Sequence, residues 1–345
     1  MGHFYKYDGT KCFTYLTQKG EQKETTLREA KKWGLLPSVT SINSIVSNYS
    51  LSQWEKQQVL KAILSAPEVL NFYKGTQETF DETYSLVEDL MREQNVAMQT
   101  GVEIHKAIED FINKKSVPSV DSIAFKYIGR INLLLNQTFG DGFTLQSEVP
   151  FAANGYGGTI DMTLTTKEGK NYLIDFKTTT RKKFENWKAP YPNETSQLAA
   201  YIKGLRFFSD GKKIVEPLAF VIKIDNERGG IKAYSVKSNE LHEGWKRFSA
   251  YLNAYAVTND YPELITMFNN AQNMEEVKNI CEQRKNSPDI KKNTSKDALI
   301  VVDDTEQQTN NTTNTLPPPV KITANTSAEI EQINQNKNEQ TVNTI

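Results

Sequence analysis

The chain has 345 residues, 38% of them hydrophobic, with 41 basic and 42 acidic side chains and a formal net charge of −1. That apolar content supports a folded core of one large or two modest domains and excludes disorder throughout, while the balanced charge supplies no global basic field, so a nucleic acid would have to be held by a local patch. Cys12 and Cys281 are the two cysteines and stand far apart, which excludes a disulfide framework and any four-cysteine zinc or iron–sulfur centre. With no apolar run of about 18 residues and no charged-then-apolar leader, the sequence reads as soluble and cytoplasmic, without a membrane partner.

In chain order, "FYKY" and "CFTYLT" around a "DGT" turn predict a short strand-like start. "TTLREAKKWG" predicts a helix capped by threonine and ending at Gly34. "LPSVTSINSIV" reads as an extended-to-helical entry. Helical spacing comes next over residues 51–66, through Leu51, Trp54, Val59, Leu60 and Ile63, and again over 81–113 and 119–138. The period then changes from helical to alternating, predicting three consecutive strands over 142–152, 156–166 and 170–179. A helix over 194–208, strands near 217–224 and 231–236, and a helix from about 238 complete a mixed α/β core. The division is therefore a strand and helical region over 1–94, a core over 95–285, and an Asn/Thr-rich tail over 286–345 that buries too little to order itself. Within the tail "ALIVV", residues 298–302, reads either as a strand-adding peptide for a protein partner or as an apolar patch in a linker.

The segment "TIDMTLTTKEGKNYLIDFK" predicts a hairpin turning at "KEGK". Symmetry about Glu168 sets Asp161 opposite Asp175. Alternation then sends Ile160, Met162, Leu164, Ile174 and Phe176 into the core and puts Asp161, Asp175 and Lys177 on the other face. Two carboxylates so opposed repel, and Lys177 with a hard divalent cation would offset them. The plain alternative is a solvated strand face with a Lys–Asp pair. Three further features bear on the choice. "TGVEIHKAIEDF" sets His105 and Glu109 beside the buried stripe of a helix, where a lone histidine is more often structural. Glu148 lies in the strand leading into the hairpin. Gln197 and Tyr201 stand four apart on the helix after it.

Together and in this order, "GVEIH" with Glu109, "GTID", "DFK" and "QLAAY" resemble the RecB-like branch of the PD-(D/E)XK nuclease superfamily over roughly residues 95 to 225. "LPSVTSI" is similar to the amino-terminal segment of the mitochondrial genome-maintenance exonucleases and their phage relatives. The resemblance implies a restriction-endonuclease-like α/β fold, with a mixed central sheet flanked by helices and an N-terminal helical cap or arch. It implies Mg²⁺ or Mn²⁺ bound by Asp161, Asp175, the carbonyl of Phe176 and His105, and no iron–sulfur cluster. Asp161, Asp175 and Lys177 would be catalytic, Gln197 and Tyr201 would orient Lys177 or touch the substrate strand, and Glu109 and Glu148 would support them. "TTTRKKFENWK" offers Arg181, Lys182, Lys183 and Lys188 with Phe184 and Trp187 interleaved, which suits single-stranded DNA through phosphate pairing and base stacking or is an exposed charged loop. The function expected is a metal-dependent exonuclease on single-stranded DNA ends in phage recombination or replication. The alternatives are a resolvase-type or flap-cutting endonuclease, and a catalytically idle DNA-binding module.

Overall fold

The structure is a computed structural model and describes residues 3–17, 19–46, 49–94, 96–113, 123–209, 218–286 and 320–321. The "ALIVV" stretch lies outside the described residues. Val320–Lys321 instead pairs with the sheet edge at Leu145 and Thr144.

The amino-terminal region is built from short pieces. β1 (Phe4–Tyr5) pairs with β4 (Leu36–Pro37), and β2 (Thr14–Leu16) with β3 (Gln22–Glu24). The two segments around the "DGT" turn meet through a Tyr5–Lys11 bridge, a hydrogen bond from the Cys12 N–H to the Phe4 carbonyl and an edge-on contact of Tyr5 with Phe13, while Phe4 and Tyr5 pair in a strand with one more than thirty residues on. Thr26 and Glu29 form a reciprocal capping box on α1 (Leu27–Trp33), which stops at Gly34 with φ 64°, a left-handed conformation suited to glycine. α2 (Val39–Asn43) comes next. The helices α3 (Tyr49–Ser65) and α4 (Gln77–Gln94), joined by a 3₁₀ turn at Pro67–Phe72, share a small core of Ala62, Val69 and Val87.

α5 (Val96–Ile112) and α6 (Ile123–Phe139) lead into the sheet. β5 (Thr144–Ala152), β6 (Gly157–Thr165) and β7 (Asn171–Thr179) form an antiparallel meander. The chain then crosses over through α7 (Arg181–Asn186) and α8 (Pro192–Phe208), so β8 (Leu218–Asp225) joins β7 in parallel, and β9 (Ile231–Val236) returns antiparallel, as a parallel pair needs a crossover where an antiparallel one needs only a turn. The mixed sheet flanked by helices agrees with the sequence reading.

Helices cover both faces. α5 and α6 pack Ile104, Ile108 and Ile128 against Met162, Leu164, Ile174, Phe176 and Ile222. On the other face α8 and α9 (Ser238–Thr258), with α10 (Glu263–Asn270) and α11 (Met274–Lys285), pack on Val149, Phe151, Ile160 and Leu173. Ile160 thus joins the opposite core from Met162, a correction to strict alternation along β6. The cause lies next door, where Glu148 takes φ 50° and its pairing with Asp161 drops out of the β5–β6 ladder. A non-glycine residue in that region bends the strand and re-aims the side chains around it.

Candidate active site

The hairpin register is the one that symmetry about Glu168 requires, from Thr165–Asn171 to Met162–Ile174. It stops there, one step short of Asp161 opposite Asp175. The Asp161 carboxylate takes over instead: its Oδ2 accepts the Phe176 N–H at 2.8 Å. Both ladders flanking Asp161 are interrupted at this residue, which leaves its side chain 18% exposed at the mouth of a split between β6 and β7.

Asp175 is in contrast buried, at 1% exposure, because α8 lies over its face of the sheet. Lys177 Nζ donates to its Oδ1 at 2.9 Å and sits 2.8 Å from its Oδ2. Gln197 Nε2 also reaches Oδ1, at 3.2 Å, and the Tyr201 hydroxyl at 2.7 Å. Asp175 Oδ2 itself has no hydrogen bond of good geometry. Burial raises the Asp175 pKa; the Lys177 ammonium opposes that, and Asp161 adds to it. For Lys177, burial works toward a lower pKa, but the Asp175 and Asp161 carboxylates outweigh it and hold the pKa above the ordinary lysine value.

His105 arrives from the opposite face. Its Nδ1 lies 3.8 Å from Asp161 Oδ2 and its ring meets Phe176 edge-on at 6.1 Å between centroids. The glycine of "GVEIH" eases the approach: a β-carbon on Gly101 would lie 2.7 Å from Thr178 Oγ1, so glycine lets α5 close on the end of β7 without displacing that hydroxyl and brings His105, one turn on, to the split. Glu109 ion-pairs with Lys106 at 3.7 Å on its own helix, and Glu148 Oε2 accepts from Lys11 Nζ at 2.9 Å.

Among the described residues no three His, Cys, Asp or Glu side chains converge closely enough to hold a metal on their own. The donor chemistry nevertheless fits a hard divalent cation. Asp161, Asp175, the neighbouring Phe176 carbonyl and an imidazole close to Asp161 are oxygen and nitrogen donors of the right type.

The basic segment divides. Lys182, Lys183 and Lys188 are exposed. Arg181 is engaged internally, its Nη1 3.0 Å from the fully buried Asp225 carboxylate and its Nε 2.7 Å from Glu185. Trp187 and Phe184, at 6% exposure each, are core residues and cannot stack on bases in this arrangement. This corrects the interleaved-aromatic reading: the segment forms α7, and its apolar residues turn inward.

Two residues that sequence reasoning passed over also stand here. Lys223 is the direct register partner of Lys177 on β8, and its ammonium donates to Glu194 of α8, with both side chains 5% exposed. A lysine within the apolar run "LAFVIKID", and a glutamate three residues before Gln197, were the available signals.

No family model and no curated protein matches the chain. Nineteen solved chains do. Among them, "Crystal structure of SSO0001" is 13% identical with a TM-score of 0.22, covering 36% of this chain and 55% of that one, so this chain spans about half the length of that protein. The chain described as "Putative exonuclease" from Eubacterium rectale is 12% identical with a TM-score of 0.31, covering 63% of this chain and 83% of that one. Likenesses of this size carry no assignment. Among the described residues no helix is long and apolar enough to cross a membrane.

Proposed function

We propose that this chain is a metal-dependent deoxyribonuclease that shortens single-stranded DNA from its ends, in phage-type replication or recombination. The observation that carries this reading is the Asp161–Asp175–Lys177 arrangement: two carboxylates at a split between strands, one of them buried and held by a lysine and a glutamine. A pure binding surface for DNA gains nothing from carboxylates facing phosphate.

Asp161, Asp175, the Phe176 carbonyl and His105 would hold Mg²⁺ or Mn²⁺, which when bound supplies a water of lowered pKa and positive charge for the leaving oxygen. The chain's own groups do the rest. Lys177, whose ammonium form the two carboxylates favour, offsets the growing negative charge on phosphorus and orients the attacking water. Gln197, itself held by the Tyr201 hydroxyl, fixes the Asp175 carboxylate from the α8 side. Lys182, Lys183 and Lys188 offer exposed charge to phosphates.

An end-labelled time course on linear and covalently closed circular single-stranded DNA, with Mg²⁺, Mn²⁺ or EDTA, tests the reading. Linear strands shorten progressively, circles persist, and EDTA stops the reaction. Circles nicked as fast as linear strands are cut would establish an endonuclease instead, and binding without any cleavage an idle module.

A further inference from the structure

The parallel register of β7 and β8 sets Lys177 beside Lys223, two ammonium-bearing side chains on one face of adjacent strands, their backbones about 4.8 Å apart. Strand spacing and rise together put Lys223 about 8 Å, backbone to backbone, from Asp175 on the diagonal, within the span of a lysine side chain. Asp175 thus has two cationic neighbours, of which one holds it: Lys177 donates to it at 2.9 Å. Lys223 is turned away. It donates to Glu194 Oε1, and its ammonium lies 5.0 Å from the Tyr191 ring centroid and 5.4 Å from that of Trp187. Glu194 in turn is fixed by the Tyr191 N–H on its Oε2 at 3.0 Å. Glu194, Gln197 and Tyr201 recur at i, i+3 and i+7, which makes one helix face look down on both strands, and the field of Glu194 also reaches Lys177.

We propose that Glu194 is a positioning residue: by sequestering Lys223 in a pocket walled by Trp187 and Tyr191, it leaves the Asp175 carboxylate to Lys177 alone. A buried ammonium deprived of its partner seeks a carboxylate, since an unpaired charge there is costly; of the two buried carboxylates on that face, Asp225, two residues on along β8, is already held by Arg181 and the Glu227 N–H, which leaves Asp175. The inference rests on the nuclease reading for its kinetic readout only.

The experiment compares wild type, Glu194→Gln and the charge-neutral pair Glu194→Gln with Lys223→Met. Glutamine keeps the contact with the Tyr191 N–H, because it serves in a capping box as glutamate does. The single variant should lose about tenfold or more in kcat with KM changed less than about twofold, as expected when reacting groups are misplaced without loss of binding. The double variant should recover most of that loss. A crystal structure of Glu194→Gln should show Lys223 Nζ within hydrogen-bond distance of Asp175. Lys223 still clear of Asp175 in that structure, or a double variant as slow as the single, overturns the proposal. Should wild type prove inactive, the nuclease reading falls and the crystal structure alone decides this one; should the single variant not fold, the double variant with Lys177 still on Asp175 and full activity upholds it, and one with low activity overturns it.

Discussion

Asp175→Asn separates a catalytic carboxylate from a structural one. The substitution is isosteric and preserves an acceptor for Gln197, so no cavity opens. It has two opposing effects on stability. Lys177, 29% exposed, loses an ionic partner at 2.8–2.9 Å, which costs between the small value of an exposed pair and that of a buried one, about 1–3 kcal/mol. Against this, a buried carboxylate next to Asp161 is removed, and its raised pKa means that its charged form is a burden on the folded state. The two are of similar order, so the net change should stay within about 1 kcal/mol, or about 2–4 °C in Tm for a domain of this size. The pH dependence has a definite sign. With a raised folded pKa, the stabilising contribution of protonated Asp175 is present below the unfolded carboxylate value and is lost as pH rises through the folded one. The Tm of the variant relative to wild type should therefore be more favourable at pH 7–8 than at pH 4. Cleavage should fall by about 100-fold or more, the usual cost of removing a ligand or a stabilising group. Calorimetry across that pH range, with the end-labelled assay, makes the comparison. Residual turnover above about a tenth of wild type, or a Tm loss beyond about 10 °C, would refute the argument, since the first makes Asp175 dispensable and the second makes it a fold determinant.

Gly101→Ala should slow cleavage by displacing α5 from Thr178, and Gly101→Ala with Thr178→Ala should recover most of the rate, because removing the hydroxyl clears the 2.7 Å approach; single and double variants equally slow in the same assay would disprove steric coupling. Arg181→Met should lower stability in urea titrations at pH 7, since it strips the partner from buried Asp225. Burial acts to raise the Asp225 pKa, but Arg181 and the backbone N–H groups of Glu227 and Arg228 outweigh it and lower it, so that stability is present above the unfolded value and lost as pH falls through the folded one; the deficit of the variant should shrink toward pH 3. Replacing Lys182, Lys183 and Lys188 by Ala should leave stability unchanged and lower the slope of log affinity against log salt by about 2 for single strands, with an unchanged slope removing them from the DNA path.

The hairpin was legible because alternation and the "KEGK" turn are local, and local geometry set its register through Met162–Ile174. The crowding of Asp161, Asp175, Lys177, Gln197 and Tyr201 came from that register and helix spacing. The illegible features depend on partners distant in sequence. Nothing near Glu148 marks a left-handed backbone, so the change of face at Ile160 was hidden. Phe184 and Trp187 look like exposed stacking groups among lysines until β8 and β9 are seen to bury them. Lys223 reads as a polar interruption of a strand, and its meaning depends on a glutamate 29 positions back in the chain. Arg181 looks like a phosphate ligand until Asp225 claims it.

The join between α1 and α11 has a consequence for synthesis. Arg284 Nε donates to the Lys31 carbonyl across 253 positions, and Gly34 lies so close under Cys281 that a β-carbon there would come 2.5 Å from its carbonyl oxygen. A chain emerging amino end first can form the β5–β7 meander early, from contacts close in sequence, yet this clasp must wait until Arg284 has left the ribosome. Through that interval Ala30 and Trp33 keep their local cover from Phe4, Cys12, Tyr15 and Leu35, but the core on which Leu27 packs still lacks Val277 and Cys281, so a nascent chain stalled before α11 leaves that part of the core open to chaperones and proteases.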